Sequence, residues 1–306
     1  MRRQSIQRVT VRAPAKLNLH LSVGRLRPDG YHDLITVFHA VGLYDEVDAV
    51  HADALSVSVS GEGADQVPTD RDNLALRAAA LLGMETGHEP AVALTIRKGI
   101  PVAGGCAGGS ADAAAALVAC DTLWGTGLSR DDLAVLGARL GSDVPFSLHG
   151  GTALGTGRGE QLTPILGQGT YSWVLALADG GLSTPDVYRE LDRQRDSGPV
   201  GLVRDAAAVL SALRGGDAVA LGQALGNDLQ SATIALRPEL QRVLEAGRDL
   251  GALGGLVSGS GPTVALLARH DEHALTLSAA LAGLGICRSV RRADGPVPGA
   301  RVVEIS

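Results

Sequence analysis

The chain has 306 residues, 45% of them hydrophobic but only 3% aromatic, and a formal net charge of −6. This length and hydrophobic content suit two globular domains whose cores consist mainly of Ala, Val and Leu. The negative charge argues against a nucleic-acid-binding surface, so we expect no nucleic-acid partner.

Apolar runs and cysteines in the sequence indicate where the protein acts and whether it contains disulfides or a metal. No stretch approaches the roughly 18 apolar residues that a membrane-spanning helix needs, and no apolar run typical of a signal peptide follows Met1. We therefore expect a soluble, cytoplasmic protein that does not act on membranes. Cys106, Cys120 and Cys287 are odd in number and lack metal-binding spacing, so neither a disulfide framework nor a zinc site is expected.

Two strands are predicted near the start of the chain, over residues 8–12 and 17–23, with Lys16 directly before the second. From Leu17 onwards the leucines fall at every second position, so Asn18 and His20 share the opposite face. That face either meets solvent or lines a cleft. In a cleft, Asn18 could both donate and accept hydrogen bonds to a ligand.

A turn containing Pro and Asp-Gly, at residues 27–30, is followed by Tyr31 and His32. From the residues alone, such a pair is more typical of a surface than of a binding site. The next predicted elements are strands over residues 35–41, 46–50 and 55–59 and a helix over residues 73–84 with Asp70 or Asp72 as its N-cap.

The stretch Pro101–Ala111 joins a predicted strand, residues 92–96, to a predicted helix, residues 110–124, through four glycines. Glycines at a helix N-terminus let an anion approach backbone N–H groups that lack intrahelical partners, and the helix dipole favours negative charge there. We therefore interpret the loop as a phosphate-binding site. A flexible connector is the alternative, and the stretch matches neither the Walker A nor the Gly-x-Gly-x-x-Gly pattern.

The following helix is predicted to begin at a capping box, Ser129–Asp132, and to end at Leu140–Gly141. Asp143 comes just afterwards, before a proline, where an aspartate is more typically a structural cap than a catalytic group. Frequent glycines between residues 150 and 169 then predict a domain boundary near Thr163.

The second half is predicted to combine strands with inserted helices. The strands are residues 172–178, 263–268, 286–291 and 301–305. The helices are residues 187–194, with Ser183 as N-cap candidate, and 202–213, 218–225, 238–250 and 271–284. A glycine-rich break lies at residues 254–261. This order is that of a ferredoxin-like α+β unit.

Three motifs, in this order along the chain, resemble those of the GHMP kinases, the superfamily named after the galactose, homoserine, mevalonate and phosphomevalonate kinases. They are Pro14-Ala-Lys-Leu-Asn-Leu19, the glycine loop and Gly259-Ser-Gly-Pro-Thr263. The resemblance covers essentially the whole chain. It implies a two-domain α/β and α+β fold, with a ribosomal-protein-S5-like N-terminal domain at residues 1–162 and a ferredoxin-like C-terminal domain at residues 163–306 that completes the substrate cleft.

Within the superfamily, residues 15–19, 27–32 and 141–145 resemble a branch that phosphorylates the 2-hydroxyl of a cytidine-diphosphate-linked methylerythritol in the non-mevalonate isoprenoid pathway. The resemblance implies that Lys16 and Asp143 are the catalytic pair. It also implies that the substrate is bound by Asn18, Tyr31, His32 and Tyr188, with Tyr188 stacking on the cytosine. ATP would be bound by Asn73 and Leu74 near the adenine and by Pro101, Val102, Ala103, Gly104, Gly105, Cys106, Ala107, Gly108, Gly109, Ser110 and Ala111 at the phosphates.

Phosphoryl transfer to an alcohol agrees with these residue types. Asp143 can accept or align the hydroxyl proton, and Lys16 can keep Asp143 ionised and draw charge from the nucleophilic oxygen. Mg²⁺ is expected because ATP carries it, but the sequence indicates no protein ligand; Ser110 could contact the metal or cap the helix. The loop departs from the family pattern at Cys106, commonly leucine, and at Ala111, frequently serine. We interpret Cys106 as a small apolar filler rather than a nucleophile.

Two alternatives to a cytidyl-substrate kinase stay open. The chain could phosphorylate homoserine, mevalonate or a sugar instead, against which Asn18, Tyr31 and His32 argue. It could also be a nucleotide-binding regulatory or scaffold protein without catalysis, against which Lys16 and Asp143 argue. For the kinase, we expect a small-molecule substrate and either a monomer or a homodimer.

Overall fold

Two β-sheets with packed helices make up residues 6–198 and 205–306, the part of the chain that this computed structural model describes. The first sheet contains β1 (Arg8–Leu26), β2 (His32–His51), β3 (Ser56–Gly61), β4 (Val92–Lys98), β5 (Thr152–Thr156), β6 (Gln161–Pro164), β8 (Gly226–Asn227) and β12 (Arg301–Ile305). The second contains β7 (Tyr171–Leu177), β9 (Gly254–Val257), β10 (Val264–Leu267) and β11 (Ser289–Gly295).

The helices lie between these strands. They are α1 (Leu74–Thr86), α2 (Gly108–Trp124), α3 (Arg130–Leu140), α4 (Val144–His149), α5 (Thr184–Ser197), α6 (Ala207–Gly215), α7 (Ala218–Ala224), α8 (Gln230–Leu236), α9 (Glu239–Asp249) and α10 (Asp271–Gly283), with a 3₁₀ turn at Ala64–Gln66. Residues 202–204 of the predicted helix 202–213 lie outside the described residues. In the described ranges, no helix has the length and apolar character needed to cross a membrane.

The two longest strands, β1 and β2, each replace a pair of shorter predicted strands. They pair antiparallel along most of their length, and the register shifts between Pro14 and Ala15, where residues Gly42 and Leu43 are looped out of the ladder. Proline cannot donate a ladder hydrogen bond, and the bulge accommodates the missing bond. The strand therefore continues past Pro14 instead of ending there. The prediction that residues 13–16 interrupt the strand was therefore wrong.

The second sheet has the strand order β11-β7-β10-β9, with antiparallel neighbours throughout. In chain order this is 4-1-3-2 with helices after the first and third strands, which confirms the ferredoxin-like prediction. The predicted glycine-rich break contains β9, and α8 was not predicted.

The last strand does not belong to the second sheet. β12 pairs antiparallel with β1, with Val9 opposite Ile305, so the chain returns to the first sheet at its end. The prediction that residues 301–305 belong to the C-terminal unit was wrong. The partner strand lies almost 300 residues away in sequence, and no local pattern identifies it. The boundary near Thr163 stays a prediction.

A shared core joins the two sheets. Along β7, Trp173, Leu175 and Leu177 pack into the core around α2, whereas Val174 and Ala176 pack with α9 and α10. This alternation follows from the two-residue period of a strand, and it buries both faces of the second sheet. The second sheet therefore contributes one face to the core that it shares with the first sheet.

Side chains cap the starts of four helices among the described residues: Asn73 at α1, Ser129 at α3, Asp217 at α7 and His270 at α10. Ser129 and Asp132 form the predicted capping box at α3. At α1 the N-cap is Asn73, whose Oδ1 accepts hydrogen bonds from the N–H groups of Ala75 (2.9 Å) and Leu76 (3.3 Å). The prediction of Asp70 or Asp72 as this cap was wrong by one to three residues, and the predicted cap at α5, Ser183, makes no side-chain capping hydrogen bond.

Candidate active site

The glycine loop lies where β4 ends and α2 begins, as predicted, and lines a cleft of about 560 Å³. Its backbone is left-handed at Ala103, Gly105 and Ala107, with φ of 52°, 76° and 59°. Such turns aim successive N–H groups into a concavity that suits an anion. Holding two alanines in this conformation is costly, so the surrounding contacts must fix the loop.

Those contacts come from the third motif and from Ser258, the residue directly before it. The hydroxyl of Ser258 donates to the carbonyl of Gly105 (3.2 Å), and the N–H of Thr263 donates to the carbonyl of Gly104 (3.3 Å). A Cβ on Gly105 would lie 2.2 Å from the carbonyl oxygen of Ser258, so only glycine allows this approach. The loop is thus supported by the second sheet, which explains why two motifs about 150 residues apart belong to one site.

Lys16 and Asp143 lie close together in the cleft that the loop lines. Nζ of Lys16 lies 3.7 Å from Oδ2 of Asp143 and donates to Oδ1 of Asn18 at 2.6 Å. The backbone N–H of Lys16, just after the β-bulge, donates to the carbonyl of Cys106 (3.2 Å), which ties β1 to the loop. Asp143 occupies the N-cap position of α4, but its side chain makes no capping hydrogen bond there.

The polar face of β1 is directed at the cleft rather than at solvent. Asn18 donates to Oγ1 of Thr36 (2.8 Å), which in turn donates to the carbonyl of His20 (2.8 Å). Lys16, Asn18 and Thr36 all line the cleft. The ring of His20 is itself fully buried, and burial lowers its pKa.

A buried charge cluster lies directly beneath the loop and was not predicted. Nζ of Lys98 donates to Asp45 (2.5 Å) and Asp112 (2.6 Å), and Asp45 also accepts from the N–H groups of Gly99 and Ile100. Burial, reinforced by the charge of Asp45, raises the pKa of Asp112 to about 8. Burial lowers the pKa of Lys98, but the two carboxylates outweigh it and leave that pKa raised. The cluster clamps β2, β4 and α2 together around the loop.

Of the three predicted aromatic substrate residues, Tyr188 lines the cleft, whereas Tyr31 and His32 are not among its lining residues. Tyr188 packs on His32 with ring centroids 5.0 Å apart, and burial, helped by the charge of Asp143, raises the pKa of Tyr188. His32 is buried, and its Nε2 lies 3.0 Å from Oδ1 of Asp192 on α5. Tyr31 is 52% exposed and lies under the guanidinium of Arg158, whose carbon is 4.8 Å from the ring centroid.

The remaining predicted residues divide between the cleft and the core. Asn73 and Leu74 line the cleft, but the side chain of Asn73 is occupied by capping α1 and by donation to the carbonyl of Pro68 (2.7 Å). Cys106 and Ala111 are fully buried in the core, and burial raises the pKa of the Cys106 thiol, which fits the filler interpretation. Ser110 lies within α2, whose N-cap is Ala107, so it does not cap the helix.

Residues from other elements complete the site and carried no motif. Asn227 donates to the carbonyls of Val257 (2.8 Å) and Gly259 (2.7 Å), and so fixes the third motif from β8. The only signal of Asn227 in the sequence is the polar pair Asn227-Asp228 directly after the predicted helix 218–225. Among the described residues, no group of three or more His, Cys, Asp or Glu side chains could hold a metal ion.

The fold and the site define this protein as a small-molecule kinase of the GHMP class. The profile of the GHMP kinases N terminal domain matches residues 73–151, and that of the GHMP kinases C terminal matches residues 209–286. A homoserine kinase structure from Cytophaga hutchinsonii shares the fold at 20% identity, with a TM-score of 0.76 over 99% of each chain.

More similar proteins narrow the family. The 4-diphosphocytidyl-2-C-methyl-D-erythritol kinase of Nocardia farcinica is 60% identical over 97% of this chain and 96% of its own length. A crystal structure of 4-(cytidine 5'-diphospho)-2C-methyl-D-erythritol kinase is 35% identical, with a TM-score of 0.75 over 93% of this chain and 98% of that one. The chain therefore belongs to the 4-diphosphocytidyl-2-C-methyl-D-erythritol kinase family of GHMP kinases.

Proposed function

We propose that the protein transfers the γ-phosphoryl group of ATP to the 2-hydroxyl of 4-diphosphocytidyl-2-C-methyl-D-erythritol, a step of the non-mevalonate isoprenoid pathway. The observation that carries this proposal is the placement of Lys16 and Asp143 3.7 Å apart in the cleft that the glycine loop lines. Family membership supports the substrate, because the relatives bear its name. We further propose that the enzyme acts in the cytoplasm.

The reaction requires a held triphosphate, an oriented hydroxyl and a destination for its proton. The hydroxyl oxygen attacks the γ-phosphorus, the bond from that phosphorus to the β-bridging oxygen breaks, and ADP leaves. Asp143 is placed to take the hydroxyl proton. Lys16, which Asn18 and Asp143 hold in position, lowers the energy of the charge that develops on the attacking oxygen.

The triphosphate is proposed to rest on the glycine loop and the start of α2, with the adenine near Asn73 and Leu74. Left-handed turns at Ala103, Gly105 and Ala107 and the free N–H groups of α2 support this assignment. Mg²⁺ would neutralise part of the phosphate charge. We propose that it is held mainly by the phosphates themselves, since Asp112 is already bonded to Lys98.

For the cytosine, we propose a site between Tyr188 and Tyr31 with His32 at the edge of the base. Tyr188 lines the cleft, and His32 packs beside it with one ring nitrogen held by Asp192. The other nitrogen of His32 is then available for selective hydrogen bonding, while the rings supply stacking area.

A coupled ADP-release assay with ATP and Mg²⁺ tests the proposal directly. The cytidyl substrate is compared with homoserine, mevalonate and galactose at equal concentrations. We expect turnover of the cytidyl compound alone. Turnover of one of the other alcohols would refute the proposed substrate site while leaving the kinase class intact, and ATP binding without any turnover would favour a non-catalytic nucleotide-binding protein.

A further inference from the structure

We propose that Arg158 is a specificity-determining residue that binds the diphosphate of the cytidyl substrate. Arg158 lies in the turn between β5 and β6 and lines the same cleft as Lys16 and Tyr188. The inference rests on the proposed function, because it assigns a part of that substrate to a side chain that carried no motif.

The charges in the cleft favour Arg158 as the anion-binding group. Lys16 is paired with Asp143, and Lys98 is paired with Asp45 and Asp112. Arg158, by contrast, forms no ion pair within 4.0 Å with any residue in the ranges 6–198 and 205–306. A guanidinium presents a planar fork of donors that matches phosphate oxygens, so an unpaired arginine in a cleft is suited to a diphosphate.

The turn that carries Arg158 is fixed in place. Its own N–H donates to Oε2 of Glu160 (2.7 Å), and the carbonyl of Gly157 accepts from the N–H of Leu34 on β2 (2.7 Å). Gly159 packs so closely on Phe38 that a Cβ there would lie 3.3 Å from the ring. The backbone of Arg158 therefore has a defined position from which its side chain extends.

Its position also matches the order of groups in the substrate. On one side, the guanidinium lies over Tyr31, at the proposed cytosine site. On the other, its turn packs on Phe38, whose ring centroid is 5.7 Å from Nζ of Lys16, at the proposed reacting centre. In a cytidine-diphosphate-linked alcohol the diphosphate lies between the base and the reacting hydroxyl, as Arg158 lies between these two sites. The ATP phosphates are assigned to the glycine loop, whose residue Cys106 accepts from the N–H of Lys16.

Calorimetric titration with cytidine and with CDP, in the absence of ATP, separates the diphosphate from the base. Wild-type protein should bind CDP more tightly than cytidine. In Arg158→Gln, CDP affinity should fall about tenfold or more, because a charge-assisted hydrogen bond is lost, whereas cytidine affinity should stay within about twofold. Arg158→Lys should retain part of the CDP affinity, since it keeps the charge but not the planar fork.

Arg139→Gln is the matched control, because it removes an exposed arginine that pairs with Glu85 on the surface. It should leave CDP affinity unchanged, and the Tm of each variant establishes that it is folded. Equal CDP affinity in wild type and Arg158→Gln would overturn the inference. The inference would also be overturned if Arg158→Gln raised the KM for ATP as much as the KM for the cytidyl substrate, because Arg158 would then contribute to ATP binding as well. If wild type bound neither cytidine nor CDP, the proposed function itself would be contradicted.

Discussion

At the scale of single residues, the site depends on side chains that hold other side chains. Asn18 and Asp143 both approach Nζ of Lys16, and Asp192 approaches Nε2 of His32. The groups proposed to act on substrate are thus held in place by neighbouring side chains, which would reduce the ordering that binding requires.

Asp192 provides a test of this positioning role. Asp192→Ala should raise the KM for the cytidyl substrate about tenfold, because His32 loses the acceptor that orients its ring, and should leave the KM for ATP unchanged. Asp192→Asn keeps an acceptor oxygen and should restore most of the affinity. Steady-state kinetics with each substrate varied in turn measures the difference, and a shared increase in both KM values would argue for a merely structural role.

Gly259 is the residue at which the third motif approaches Lys16, one of the two proposed catalytic residues. Its φ is +55°, and a Cβ there would lie 3.1 Å from Oδ1 of Asn18 and 3.2 Å from Nζ of Lys16. Gly259→Ala should lower kcat by about tenfold to a hundredfold, because the ammonium is displaced from its position. Gly285→Ala is the matched control: its φ is +62° with nothing within 4 Å, so it introduces similar backbone strain without the contact. Equal activity in the two variants would contradict the steric argument.

The residues of the site were predictable to the extent that they lie in local motifs. Lys16, Asp143 and the glycine loop were named from the sequence, and the structure brings them together, although their roles stay predictions. Arg158 and Asp192 were missed because each approaches its partner across the fold. An arginine in a turn and a partly buried aspartate on a helix carry no local signal. Cys106 and Ala111 have side chains in the core, which the loop sequence does not distinguish from its cleft-facing neighbours.

At the scale of elements, caps and bulges decide where the functional groups stand. Just after the bulge that follows Pro14, the N–H of Lys16 donates to the carbonyl of Cys106 in the glycine loop. The sequence alone predicts that the strand breaks at this point. A proline and a change in the apolar alternation occur both at a bulge and at the end of a strand, so the pattern does not distinguish the two. Local sequence patterns therefore did not predict that residues 8–26 form one continuous strand.

The cap of α1 gives a prediction at this scale. Asn73→Ala should lower the free energy of unfolding by about 1 kcal/mol, because the N–H groups of Ala75 and Leu76 lose their acceptor. Urea denaturation measures the change. Asp72→Ala, one residue earlier and exposed, should change stability by less than about 0.5 kcal/mol. A larger effect at Asp72 than at Asn73 would show that the cap is misassigned.

At the scale of the whole molecule, the two sheets share one core and the chain crosses between them repeatedly. β12 returns to β1, and His39 of β2 lies against Gly295 of β11. His39 is fully buried, with Nδ1 2.9 Å from Oγ1 of Thr152, and burial lowers its pKa to about 4. The first and second sheets are therefore joined at a neutral imidazole.

This histidine should make stability depend on pH. The ordinary pKa of 6.5 lies above the folded value of about 4, so the unfolded chain binds a proton more readily, and stability is lost as pH falls from 6.5 towards 4. Between pH 7 and pH 5 the loss from this group should be about 2 kcal/mol. Urea denaturation at both pH values measures it, and His39→Gln should show a shallower dependence. An equal slope in the variant would exclude His39 as its source.

The central claim is that Lys16 and Asp143 carry out phosphoryl transfer beside the glycine loop. The most direct test is the single-turnover rate of Asp143→Asn, measured by rapid quench with ATP and the cytidyl substrate both saturating. We expect the rate to fall by about 10² to 10⁴, the usual contribution of a general base, with the Kd for ATP within about twofold of wild type. A rate equal to that of wild type would contradict the claim and move the proton acceptor to another group.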